Sequence, residues 1–428
     1  MRILLVLLLA ASALLGGDDE VQAEVERRCK ELSDAIEKVL GKKFEKPVPV
    51  QIVDEDFIVA FAKDIDRKTT PRGVVETTTR LHVRLRLVEP GFDLRKTYFE
   101  FLRSMVAGLY DPDQDRFFVV RNKVDLDGPS FSITAAHELG HAYRDVDKDY
   151  WKRVQDTAYV DEDAAIAVTC LAEGDAELIG NVFGSGLPAA EITPRVIAAA
   201  KQAPSLVPLV MNDPGMSRFP LFMREMFLTR YFIGQAFAAQ VFEKGGWDAL
   251  SAAFDNPPRS TEQILHPEKY LAKEPDEPTI FEGGDPSKAL GEGWRTSYVN
   301  TFGEFSVRVY LTEALGRARA TVVAEGWDGM RYFICEKSDS PLFFGAVSEW
   351  DTEQDAIEFA TAWAAWASLR HKTANQSRIF DTSDGLVVDS PDGLVVIQRM
   401  KTRVLVADGV PAGRVDAVLK ALATAKPK

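Results

Sequence analysis

Residues 272–293, rich in Pro, Gly and charge, separate two stretches of sequence whose apolar residues repeat with different periods. Before this segment the period is mostly helical. Val21, Val25, Leu32, Ile36 and Leu40 share one face of a helix over residues 18–40, and Gly41 stops it. The same spacing predicts two helices between 74 and 105, broken near Pro90-Gly91, and others over 131–145, 160–180 and 222–242, the last ended by Gly245-Gly246. Two parts of the first stretch read as strand. One is the β-branched 47–53. The other is a hairpin in which Asp111-Pro112-Asp113-Gln114-Asp115 turns residues 108–110 back into 116–121. After the segment, short strands at 332–334, 342–347, 386–388, 394–398 and 403–407 surround helices near 304–317, 353–369 and 414–423. The expected fold is α+β: a mainly helical domain over 18–275 with a small antiparallel edge sheet, a linker over 276–293, and an α+β domain over 294–428. No internal repeat is visible.

Arg2, the apolar residues 3–10 and Ala11-Ser12-Ala13 have the order of a secretory signal, which predicts that residues 1–17 are removed and the chain is exported to the periplasm or outside the cell. The apolar run ends at Leu15, short of the roughly 20 residues a membrane span requires, so no stable span is expected after signal removal. Acidic residues outnumber basic ones, 65 to 51, and a net charge of -14 repels a phosphate backbone, so nucleic acid is not an expected partner. The three cysteines, Cys29, Cys170 and Cys335, are widely spaced and read as structural.

Within the predicted helix at 131–145 stands His137-Glu138-Leu139-Gly140-His141. Residues four apart lie on one helical face, so the two imidazoles can address one cation, with Glu138 beside them. A catalytic zinc needs a third protein ligand, an open position for water and a base for that water's proton. Asp147, six residues past His141, would require a sharp turn, but Arg144 stands where that turn needs Gly. Glu173, in Leu171-Ala172-Glu173-Gly174-Asp175-Ala176-Glu177 on the next predicted helix, is the better third ligand, and Gly174 and Ala176 allow close helix approach. Glu177, one turn on, can accept the free N–H of a liganding histidine, and Asp145, four residues past His141, is a further candidate for that role.

This combination of the two-histidine helix with a downstream Glu resembles the gluzincin branch of zincin metallopeptidases. The resemblance implies a zincin-like domain, Zn2+ held by His137, His141 and Glu173, and Glu138 as general base. It also implies an edge strand that pairs with an extended peptide substrate. More narrowly, several segments are similar to a group of secreted bacterial proteins predicted to be metallopeptidases. They are Tyr110-Asp111-Pro112, the histidine helix, Ala172-Glu173-Gly174-Asp175-Ala176, the run Ser260-Thr261-Glu262-Gln263-Ile264-Leu265-His266-Pro267-Glu268-Lys269-Tyr270, Gly326-Trp327-Asp328-Gly329 and Trp350-Asp351-Thr352. Tyr143-Arg144-Asp145-Val146-Asp147 departs from the Gln-rich stretch such proteins carry there.

Zincins use a His or Tyr to stabilise the oxyanion, so His266 and Tyr270 are further catalytic candidates. The implied function is peptide-bond hydrolysis, with a peptide or protein substrate. The alternatives are a zinc hydrolase of a non-peptide amide and a catalytically silent, metal-stabilised binding or assembly protein. His82, in a run with Arg80, Arg84 and Arg86, reads as a surface residue, His371 as the end of a helix, and Trp327 and Trp350 as packing residues. Oligomeric state is not legible in the sequence.

Overall fold

The computed structural model describes residues 18–125, 128–148, 150–370 and 385–428. The segment 1–17 read as a signal, and His371, lie outside the described residues. Helix α1 (Asp18–Leu40) buries Val21, Val25, Cys29 and Ile36, the face its spacing predicts. Strand β1 (Val50–Val53) follows, then α2 (Glu55–Thr69), α3 (Val74–Arg84) and α4 (Leu94–Met105). Asp54 and Asp93 start α2 and α4, each carboxylate accepting the backbone N–H three residues on, which a helix cannot itself satisfy. Strands β2 (Gly108–Asp111) and β3 (Arg116–Val120) form the expected hairpin. β1 pairs with β3 in parallel, however, so the sheet is mixed, in the order β1-β3-β2, rather than purely antiparallel. The three helices between β1 and β2 are the crossover that a parallel pairing needs.

The helical half continues with α5 (Pro129–Lys148), α6 (Tyr150–Thr157), α7 (Glu162–Phe183), α8 (Ala189–Ala200), α9 (Val207–Met211), α10 (Leu221–Asp255), α11 (Thr261–Leu265) and α12 (Pro267–Leu271). At Gly245-Gly246 the backbone leaves helical values, with Gly246 at a φ of 65°, so the first part of α10 ends where its glycines predict and a second helical stretch carries on to Asp255. Helices α7 and α10 approach almost backbone to backbone. A Cβ on Gly174 would lie 2.0 Å from the Gly234 carbonyl oxygen, and one on Gly234 would lie 2.2 Å from that of Cys170.

Next come β4 (Phe281–Glu282), α13 (Ser287–Leu290), β5 (Arg295–Thr301), α14 (Glu304–Leu315), α15 (Arg317–Ala324), β6 (Trp327–Glu336) and β7 (Phe343–Trp350). The chain closes with α16 (Glu353–Arg370), β8 (Gly385–Val388), β9 (Leu394–Met400), β10 (Arg403–Val410), α17 (Val415–Leu422) and β11 (Lys426–Pro427). β5 to β10 make a six-stranded antiparallel sheet in the order β5-β6-β7-β10-β9-β8. Along β10, Val404 and Val406 join one core and Leu405 and Ala407 another, so strand alternation gives the sheet two buried faces. Trp350 stacks on Phe359 of α16 with ring centroids 4.5 Å apart, the packing role read for it.

The fold is therefore α+β, with two differences from the expected division. The stretch 276–293 is not a free connection: β4 pairs with β11, and Phe281 and Leu290 are buried in the C-terminal core. In addition, one hydrophobic cluster runs from Phe222 and Phe237 in the helical half to Tyr310 and Trp350 in the other. His82 is a third departure. It is buried against Phe222, its Nε2 3.4 Å from the Tyr310 hydroxyl, because its face of α3 turns inward against α10 and α14 while Glu76 and Arg80 on the other face stay exposed. Among the described residues, no helix is long and apolar enough to cross a membrane.

Candidate metal centre

α5 and α7 face each other across small residues. A Cβ on Gly140 would meet Ile179 at 3.1 Å, and one on Gly180 would lie 3.2 Å from the His137 Cβ. This close approach brings His137 and His141 on α5 to Glu173 on α7, all three essentially without solvent exposure. The two Nε2 atoms are 3.0 Å apart, and Glu173 Oε2 lies 3.3 Å from that of His137 and 3.6 Å from that of His141. Donors held about 2.0–2.1 Å from a tetrahedral zinc are roughly 3.4 Å from one another, so this triangle has the right size. Glu173 Oε2 makes no properly directed hydrogen bond although it is buried, as expected of an atom whose partner is a cation. The α5 helix runs on to Lys148 without the turn that a ligand at 147 needs, and the side chain of Asp147 lies outside the described residues.

The electrostatics of the site point the same way. Burial pulls His137 down, but Glu173 and Glu177 outweigh it and lift the imidazole to about 10. Burial holds His141 below its ordinary value despite Glu173. Glu173 stays below the usual carboxylate range although it is buried, because both imidazoles face it. The carboxylates thus favour positive charge at the centre of the triangle, and they would do the same for a metal ion. Glu138 is raised to about 8, chiefly by burial. Its Oε2 accepts the Tyr110 backbone N–H at 2.7 Å while its Oε1 has no partner. Gly108 makes room for this contact, since a Cβ there would crowd Thr134 and the Glu138 Cγ. At Tyr110, therefore, the edge strand β2 is engaged by Glu138 and is not open to a substrate strand.

A second layer of groups orients the ligands. His137 Nδ1 faces Glu177 Oε1 at 3.4 Å, and Glu177 Oε2 is held by Gln235 Nε2 at 3.0 Å. His141 Nδ1 lies 3.1 Å from the Tyr150 hydroxyl, a partner that sequence reasoning missed. The adjacent aromatics Tyr150-Trp151 just past the helix were the available signal. Asp145 does not take that place: its Oδ2 is 3.3 Å from the Tyr110 hydroxyl, because Tyr110 reaches across from β2. Arg144 forms a buried, two-pronged pair with Asp175, at 2.7 and 2.9 Å, that clamps α5 to α7.

The run Ser260 to Tyr270 is placed elsewhere. Ser260 caps α11, and Thr261 bonds Asp163 on α7. His266 Nε2 is 3.1 Å from Glu304 Oε1, and the Tyr270 hydroxyl donates to the Asn256 carbonyl at 2.8 Å. Neither forms a hydrogen bond, ion pair or ring contact with His137, His141 or Glu173. Both polar groups are already used in joining α11 and α12 to their neighbours, which leaves the oxyanion role without support.

Residues 294–419 match a family described as a domain of unknown function (DUF8575). The match covers the stretch from just before β5 into α17, so the metal-ligand candidates lie outside it. No curated protein and no solved structure matches the chain.

Proposed function

We propose that the chain is a zinc-dependent hydrolase of peptide bonds of the gluzincin type, with His137, His141 and Glu173 as the metal ligands. The observation that carries this reading is the convergence of three buried donor atoms, 3.0–3.6 Å apart, beside a carboxylate oxygen of Glu138 that has no partner. A bound zinc would lower the pKa of water and polarise a carbonyl at this point. The donor set, two imidazoles and one carboxylate, leaves a coordination position open, as catalytic zinc sites do.

The rest of the chemistry falls to the protein's own groups. Glu138, fixed through Oε2 by the Tyr110 amide, presents Oε1 as the base that takes the proton of the attacking water. The same oxygen then delivers that proton to the departing amine. Glu177 and Tyr150 hold the outer nitrogens of the two histidines, fixing their orientation so that each Nε2 faces inward. The signal-like residues 1–17 support a protein that acts after export, on a peptide or protein substrate.

The test compares the zinc-loaded full chain with Glu138→Gln on a broad mixture of internally quenched peptides. Turnover is expected to fall about 10²–10⁴-fold with zinc content unchanged, the usual size of a general-base contribution. Absence of turnover in the unaltered chain, or turnover indifferent to Glu138→Gln, sinks the reading.

A further inference from the structure

A cavity of about 300 Å3 lies against Glu173 and extends between the two halves of the molecule. Its wall includes Trp151 from α6, His82 from α3, Phe222 from α10, Tyr298 from β5 and Tyr332 from β6. It is therefore roofed by the helical half and floored by the sheet. The end nearest the metal centre is defined by Glu173 itself and by Trp151, whose ring centroid is 5.9 Å from that of His141. This volume is at the small end of the roughly 300–1,000 Å3 common for ligand pockets, so it suits one side chain or one residue, not a folded partner.

Two observations indicate a ligand. Trp151 is only 5% exposed and His82 8%, yet Trp151 Nε1 and His82 Nδ1 have no hydrogen-bond partner. A buried polar group left in that state costs about 1–3 kcal/mol, a cost that a ligand offering an acceptor removes. Apart from Glu173, which belongs to the metal centre, the charges on the wall are matched. Arg95 Nε is 2.9 Å from Asp66, and Glu162 and Arg230 contribute one charge of each sign. With a largely apolar lining and its charges matched away from Glu173, the far part of the cavity has no means of selecting a charged side chain.

We propose that this cavity is the substrate pocket of the metal centre. It takes one bulky apolar side chain next to the bond that is cut, and the Trp151 indole N–H donates to a backbone carbonyl of the same substrate. The assignment rests on the hydrolase reading for the bond that is cut, but occupancy of the pocket is measurable without turnover.

The experiment uses the zinc-loaded, full-length Glu138→Gln protein and two probes, N-acetyl-phenylalaninamide and N-acetyl-alaninamide, with binding read by ligand-observed NMR. The phenylalanine amide is expected to bind at least about tenfold more tightly, the effect of burying one aromatic side chain. Trp151→Phe, which keeps the ring and removes the N–H, should weaken both probes by a similar factor of about five to ten and leave the preference intact. Met226→Trp, which fills the cavity, should abolish the preference, with Thr169→Leu as a milder filling if that protein does not fold. Equal affinity for the two amides, or a preference untouched by filling, overturns the pocket. Preferential binding in a chain that cleaves no peptide keeps the pocket and removes the hydrolase. Cleavage that ignores side-chain size, with no preferential binding, does the reverse.

Discussion

Among the described residues, two sets of three ligand-type side chains bring their donor atoms within 4.8 Å of one another, His137-His141-Glu173 and Glu262-Asp276-Asp351. They differ in what stands among them. The second set surrounds the Lys269 ammonium, whose Nζ lies 2.6 Å from Glu262, 3.0 Å from Asp276 and 2.9 Å from Asp351. Burial alone would drive that lysine toward neutrality, but the three carboxylates more than reverse it and hold it well above its ordinary value. The first set, among the described residues, has no lysine or arginine between its donors, is buried throughout, and contains a carboxylate oxygen without a directed partner. A cluster of acidic groups is thus not in itself a metal site. What distinguishes the α5–α7 cluster is that the positive charge its carboxylates favour falls on the His137 imidazole, a group that can give up its proton to a metal ion, and not on a fixed ammonium.

The largest effect expected from this contrast is in metal content. The full chain should bind one zinc, by stoichiometric titration after chelator treatment. His141→Ala should reduce that to none, and Asp351→Asn should leave it at one. Two zincs per chain, or zinc lost through Asp351→Asn, would break the distinction between the clusters.

The next effect concerns a pair on the same two helices that is already complete. Arg144 and Asp175 are both buried, so Arg144→Met strands a carboxylate in the interior and should cost about 3–5 kcal/mol in urea unfolding, with the dependence on denaturant unchanged. Adding Asp175→Leu should recover most of the loss, since removal of both charges leaves no uncompensated group. A single-variant loss below about 1 kcal/mol would mean that water reaches Asp175.

The sequence makes the α5–α7 pair legible because it concentrates the relevant signals locally. Two of five histidines sit four residues apart, and the Glu-Gly-Asp-Ala run carries both a ligand and the glycine that lets α10 approach. The hairpin and most helices were readable for the same reason, since turn chemistry and periodicity are short-range properties. What could not be read depends on contacts far apart in the chain. The parallel pairing of β1 with β3 spans a crossover, and β4 becomes a strand only because β11 arrives beside it. His82 shares a run with Arg80 and Arg84 and so resembles a surface residue. In the structure, Arg84 is buried on Asp408 of β10, more than three hundred residues on, and the face it shares with His82 is covered, while Arg80 stays exposed. His266 and Tyr270 sit in a compact polar motif that looked catalytic, and its polar groups join helices together instead.

The smallest effect separates two buried histidines. His137 lies among carboxylates that support its charge, whereas His82 lies among Phe222 and Tyr310 with no carboxylate in contact, and burial depresses it to about 4. The unfolded chain gives His82 its ordinary value near 6.5, so at neutral pH it is largely uncharged in both states and its titration leaves stability almost untouched. As pH falls below 6.5 the unfolded state takes up a proton that the folded state refuses, and stability declines until the folded imidazole also protonates near 4. A fall from 6.5 to about 4 corresponds to a loss of about 3 kcal/mol across that window. Carboxylates titrate in the same range, so the measurement is the difference between the unaltered chain and His82→Gln in urea midpoints at pH 7.5, 5.5 and 4.0. The variant should start less stable at pH 7.5 and lose less on acidification, so that the gap narrows by about 3 kcal/mol. A gap independent of pH would place a counter-charge beside His82 and make its environment like that of His137.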